Sequence, residues 1–189
     1  QKLTSLVVTT NDGNTHIISV EGKGKKAQMS FKYQDKDDQT LQQHISSKES
    51  YNESKNYKAG SKIEVVENEL GKIGLTICYD IRFPKLYAKL SNKGCNIITI
   101  PSAFTKNTGK FHWEILLRAR AIETSCWILA PAQIGNHYGK RETWGHSMVV
   151  DPWGTIVSEA GKNKKIIYAD IDIDKSKNIK KIWGKNKFI

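Results

Sequence analysis

GLTICYDIRFPKLYAKLSNKGCNIITIP, residues 74–101, spells out a complete structural unit. An apolar run rises to Cys78 and stops among Tyr79, Asp80 and Arg82. Pro84 then opens a helix, because its fixed φ suits the first helical position and its missing N–H is no loss there. Leu86, Ala88 and Leu90 supply apolar positions, and Gly94 closes the segment. The following CNIITIP is continuously apolar over a strand's length, as expected where both faces are buried. Strand, helix and strand in this order predict a right-handed crossover between parallel strands.

Working outward, the pattern repeats. KFHWEILLRARAIETS (110–125) places Trp113, Leu116, Leu117, Arg120 and Ile122 at helical intervals, and CWILAPA (126–132) reads as a second buried strand. HSMVVDPWGTIVSEA (146–160) is a hairpin turning at Asp151-Pro152-Trp153-Gly154, with proline and glycine at the second and fourth turn positions. KIIYADIDI (165–173) is the last predicted strand, ahead of a lysine-rich tail. Upstream, KIEVVE (62–67) and KIGLTIC (72–78) flank a NELG turn, and HIISV (16–20) and AQMSFKY (27–33) flank EGKGKK. Residues 34–58 are polar and follow neither a period of 2 nor one of 3.6, which predicts a long loop or a disordered insertion. Two strand-helix units with several hairpins make an α/β chain with a mixed sheet.

At 189 residues the chain is sized for one domain, taken as residues 1–189. The formal charge of +11 raises the question of a nucleic acid partner. Of 30 basic residues, however, only Arg82, Arg118, Arg120 and Arg141 are arginine, the usual reader of phosphate and base edges, and the lysines are scattered. No nucleic acid is therefore expected. Cys78, Cys95 and Cys126 are an odd number with no CxxC pair or zinc-ligand spacing, so neither a disulfide framework nor a metal is expected. A reducing compartment suits them, the cytoplasm first and the mitochondrion as the alternative. No apolar run approaches the roughly 18 residues of a membrane span, and no membrane partner is expected. The opening QKLTSLVVTT lacks the apolar core of a signal peptide.

Cys78 sits at the carboxyl end of a predicted strand, the edge of an open α/β sheet where ligands bind. Position alone leaves two readings open, a packed thiol or a presented nucleophile whose neighbouring Tyr79 N–H points at a developing oxyanion. Cys95 and Cys126 each begin an apolar strand and read as core.

GKIGLTICYDIRFPKL (71–86), PSAFTKNTGKFHWEILLRARAIET (101–124) and WGHSMVVDPWGTIV (144–157) together resemble the second half of a nitrilase-superfamily carbon–nitrogen hydrolase, in the branch of the deaminated glutathione amidases and omega-amidases. The resemblance implies an α-β-β-α sandwich with mixed sheets and a Glu-Lys-Cys triad without cofactor, in which the cysteine attacks an amide, ammonia leaves and water hydrolyses the thioester. The family's CYDxRFPE pattern places the nucleophile on Cys78, with Lys85 where glutamate is usual. Its lysine maps to Lys32, although the His-Leu that usually follows is replaced by Tyr33-Gln34. Its supporting glutamate maps to Glu53, with Glu49 the competing choice, and its general-base glutamate falls upstream of residue 1, so the amino-terminal part of the family domain is expected to be missing.

The same resemblance makes Arg82 a clamp for a substrate carboxylate, with an ion pair to Asp80 or another core carboxylate as the structural alternative. Phe104 and Thr108 map to pocket-lining positions. Glu114 and Arg118 read as a helix pair, and His112 and His146 as hydrogen-bonding histidines. LLRARAIET and GKRETWGHSMVVDPWG favour a deaminated glutathione amidase over an omega-amidase acting on α-ketoglutaramate. A non-catalytic interaction module or an inactive fragment is the alternative from a different class. Family members are commonly homo-oligomers, so a homo-oligomer and a small amide substrate carrying a carboxylate are the expected partners.

Overall fold

The computed structural model describes residues 62–137 and 141–183, together with the strands Leu3–Thr9, Thr15–Lys23 and Lys26–Gln34. These three strands, β1 to β3, form an antiparallel meander. The predicted HIISV/AQMSFKY hairpin is the β2–β3 pair. Residues 35–58, most of the expected polar insertion, lie outside the described residues, as does Glu53.

The second sheet contains the opening stretch of sequence. Its strands are β4 (Val65–Asn68), β5 (Gly71–Leu75), β6 (Ile97–Thr99), β7 (Trp127–Ala130), β10 (Met148–Val150) and β11 (Ile156–Glu159), in the order β11-β10-β7-β6-β5-β4. β5, β6 and β7 run parallel and the outer pairings are antiparallel, giving the predicted mixed sheet. Helices α1 (Pro84–Asn92) and α2 (Lys106–Thr124) make the two crossovers. A small hairpin, β8 (Ile134–His137) with β9 (Arg141–Trp144), adds a flap that the sequence did not signal. β12 (Tyr168–Asp172) joins the first sheet beside β3, and the lysine-rich tail folds into helix α3 (Ile173–Trp183).

Alternation along the parallel strands explains their unbroken apolar runs. Ile98, Ile100, Ile128, Ala130, Met148 and Val150 point to the helices, where they meet Tyr87, Leu90, Trp113 and Leu117. Ile97, Trp127, Leu129 and Val149 point the other way, onto Ala169 and Ile171 of β12. Each fully buried Ile, Leu, Val or Met among them contributes about 1.5–3 kcal/mol. Helices, sheet and second sheet are therefore stacked in layers, as the resemblance implied. Gly74 lies close under the helix layer: a Cβ there would lie 3.0 Å from Leu90 Cδ2 and 3.3 Å from Cys95 Sγ, so these side chains would have to give by a few tenths of an ångström.

Candidate active site

β5 ends at Leu75, so Cys78 stands beyond the strand and not on it. It begins a short 3-10 helix, Cys78–Arg82, and adopts φ +43. A non-glycine residue in this left-handed region is strained by roughly 1–2 kcal/mol, because Cβ crowds the following carbonyl. Such strain persists only where surrounding contacts hold it, and several do. The Cys78 N–H donates to Pro101 O at 2.8 Å, extending the parallel ladder past the end of β6. The Ile77 N–H donates to the Asp80 carboxylate at 2.9 Å, and the Asp80 N–H returns to Ile77 O at 2.9 Å. Asp80 thus closes the turn locally and is not the partner of Arg82. The Tyr79 N–H follows directly in this 3-10 helix and is the backbone donor next to the thiol.

Arg82, at the end of the turn, gathers the other candidates. Its guanidinium carbon lies 5.5 Å from the centroid of the Tyr79 ring and 5.4 Å from that of Phe104, and its Nη2 is 3.2 Å from His112 Nδ1. Arginine has no acceptor, so Nδ1 accepts and the His112 proton sits on Nε2. His112 lies one helical turn beyond Thr108, whose Oγ1 is 2.9 Å from Thr105 Oγ1. Cys78, Tyr79, Arg82, Phe104 and Thr108 thus all lie at the carboxyl edge of the parallel strands. Lys32 lies on β3 opposite Ile17, in the layer facing this sheet.

The flap is tied to this edge. Trp144 N–H donates to Phe104 O at 2.9 Å, Thr105 bridges Thr143, and Lys106 pairs with Glu142 at 2.6 Å. Gly109 admits the Trp144 side chain against the first turns of α2. The Trp144 ring stacks on His146 at 4.4 Å, and His146 Nδ1 lies 2.5 Å from Glu159. His146 Nε2 is buried without a partner among the described residues, so the expectation of a satisfied histidine holds there for one nitrogen of two. Glu114 and Arg118 form the expected i,i+4 pair at 3.2 Å.

The three cysteines are thiols with different surroundings. Cys78 is half-buried, while Cys95 and Cys126 are core residues as expected. Burial pushes the Cys95 thiol up to about 11 and raises that of Cys126 as well, outweighing nearby Lys180 in both cases. Neither ionises readily near neutral pH. Sequence reading missed His112 as the partner of Arg82, and also the buried Arg120, whose Nε donates to Ile81 O at 2.9 Å. The available signal for Arg120 was its place, as a charged residue, on the apolar face shared by Trp113, Leu117 and Thr124.

Comparison with known proteins bears on this geometry. Residues 13–181 match the carbon-nitrogen hydrolase family model. The chain is 47% identical over 132 residues to a deaminated glutathione amidase of Synechocystis sp. (strain PCC 6803 / GT-S), covering 69% of this chain and 48% of that protein. It is 53% identical over 109 residues to the human deaminated glutathione amidase, covering 58% of this chain and 33% of that protein. The chain thus spans about half the length, or less, of these curated relatives. Among solved structures, the Caenorhabditis elegans NitFhit protein superposes with a TM-score of 0.71 at 35% identity, over 94% of this chain and 42% of that one. Saccharomyces cerevisiae Nit3, a member of branch 10 of the nitrilase superfamily, gives 0.68 at 28% identity, over 97% of this chain and 64% of that one.

Proposed function

The chain belongs to the carbon–nitrogen hydrolase family, and from that premise we propose that it carries the nucleophile of an amide hydrolase of the deaminated glutathione amidase kind. The observation that carries this reading is the strained placement of Cys78 beyond β5, with the Tyr79 N–H next in the chain and the Arg82 guanidinium four residues on. The Cys78 thiolate attacks the amide carbon, and the tetrahedral oxyanion forms within reach of the Tyr79 N–H. The C–N bond breaks as the nitrogen takes a proton from a general acid, and ammonia leaves. Water then adds to the thioester, the C–S bond breaks, and the acid is released with the thiolate restored. Lys32 supplies a fixed ammonium for the thiolate and the oxyanion, with Glu53 supporting it.

Arg82 selects the substrate. Two aromatic faces and a histidine hold its guanidinium, and a planar guanidinium suits a carboxylate bidentately. A small amide bearing a carboxylate fits, and the same chemistry admits α-ketoglutaramate. The three thiols suit a reducing compartment, cytoplasmic or mitochondrial. Among the described residues no helix is long and apolar enough to cross a membrane. Homo-oligomeric assembly has a surface to use: Phe111, Ile115 and Ile122 line the outer face of α2 and are 65%, 68% and 51% exposed, with Trp153 beside them at 61%. The Glu114–Arg118 pair borders this stripe, and two antiparallel copies would set each carboxylate against the other copy's guanidinium.

The decisive experiment is ammonia release from deaminated glutathione and from α-ketoglutaramate by the full-length protein and its Cys78→Ala variant. Activity lost in the variant, with an acyl group on Cys78 detected by mass spectrometry in the wild type, supports the proposal. Activity retained by Cys78→Ala refutes it, and a wild-type protein that neither releases ammonia nor acylates favours the non-catalytic alternative.

A further inference from the structure

We infer that Arg120 is a positioning residue for Cys78, acting with Tyr87 and Thr76 as a buried clasp on both ends of the turn that bears the thiol. The inference rests on the reading of Cys78 as nucleophile. On the amino-terminal side of the turn, Thr76 directs both its N–H (3.1 Å) and its Oγ1–H (2.9 Å) at Thr99 O. With that hydroxyl proton committed, the 2.9 Å contact between Thr76 Oγ1 and Tyr87 Oη is donated by tyrosine. On the carboxyl-terminal side, Arg120 Nε holds Ile81 O at 2.9 Å, and Arg120 Nη1 reaches Glu123 at 2.7 Å. Tyr87 joins the two halves, because the ring that supplies the hydroxyl to Thr76 also lies under the Arg120 guanidinium at 5.2 Å. Burial keeps the Tyr87 phenol well above its ordinary value, so it remains a donor at any working pH.

Thr76, Tyr87, Ile81 and Arg120 are all buried, Arg120 at 5% exposure. A buried guanidinium is poor evidence of stabilisation, since well-packed apolar residues often replace buried ions without loss. What this one contributes is geometric: a charge-assisted bond to a carbonyl three residues beyond a cysteine at φ +43. If that bond is released, the turn can relax toward an ordinary φ, turning Sγ away from the Tyr79 N–H. Displacements of about 1 Å at a reacting atom lower rates on the order of a hundredfold.

The test compares wild type, Arg120→Lys and Tyr87→Phe in the full-length protein. It measures kcat and KM for ammonia release and the pH dependence of iodoacetamide alkylation at Cys78, with the modified residue identified by peptide mass. Arg120→Lys is expected to lower kcat at least about tenfold, to leave KM within about twofold and to move the alkylation midpoint to higher pH. Tyr87→Phe, which removes only the hydroxyl, is expected to shift both readouts the same way by a smaller factor. A folded Arg120→Lys with wild-type kcat and alkylation profile overturns the inference. If Arg120→Lys does not fold, a wild-type profile in Tyr87→Phe overturns it. Should Cys78→Ala retain activity, the nucleophile reading itself fails, which is distinct from a required Cys78 whose behaviour is indifferent to the clasp.

Discussion

Gly109→Ala sets helix propensity against packing, and the structure decides the sign. Gly109 is buried in the first turns of α2, and its N–H donates to Thr105 O at 2.7 Å. Alanine is about 0.8–1 kcal/mol more favourable than glycine inside a helix. The added Cβ, however, would overlap Trp144 Cβ and Cγ and come within 2.8 Å of its Cδ1. Trp144 Cβ cannot be relieved by a rotamer change, so β9 itself must retreat by about 1 Å or more to restore contacts of 3.5–4.0 Å. Overpacking of this kind costs about 1–3 kcal/mol, and backbone involvement puts it at the upper end. Net destabilisation of about 1–2 kcal/mol follows, which for a chain of this size lowers Tm by about 2–8 °C. The retreat also pulls on the Trp144–Phe104 and Lys106–Glu142 links, so KM for the amide substrate should rise with kcat less affected. Calorimetry and initial-rate kinetics check the two parts. An unchanged or higher Tm would mean that propensity won, and would refute the close approach of β9 to α2.

Other outcomes follow from neighbouring features. Because burial raises the Cys95 and Cys126 thiols, a thiol reagent near pH 8 should modify Cys78 rapidly and the other two only after denaturant is added; fast modification of Cys95 would contradict its burial. For Asp151, burial opposes ionisation, but the Lys175 ammonium and the Thr155 and Trp153 N–H groups outweigh it and hold the carboxyl below its usual range. This stabilisation is present above the unfolded pKa of about 3.9 and is lost as pH falls through the lower folded value. Asp151→Asn should therefore lose about 2 kcal/mol at pH 7, with the gap to wild type closing under acid; urea titrations at pH 7 and pH 3 measure it. Ile115→Lys, on the exposed stripe of α2, should leave Tm within about 1 °C of wild type while lowering the mass seen by light scattering, and an unchanged assembly would remove that stripe as the contact surface.

Much of the fold was legible along the chain because its signals are local. Pro84 and Gly94 punctuate α1, unbroken apolar runs mark β6 and β7, and the Asp151–Gly154 turn joins β10 to β11. Helix α3 was passed over because its lysines mask the spacing of Ser176 and Ile179, which are buried three residues apart. The flap escaped notice because IGNH and RETW carry one large apolar residue each, Ile134 and Trp144, so neither an apolar run nor an alternation marks them.

The sequence by itself determined the layered α/β class, the family and Cys78 as the residue to test, since each is written in contiguous residues. Tertiary structure alone decided how that cysteine is held. Thr76 meets Thr99, Arg82 meets His112, and Arg120 reaches Ile81 across 39 residues of chain. No local pattern encodes such meetings, because they exist only once parallel strands and their crossover helices have stacked and brought distant side chains to one edge of the sheet.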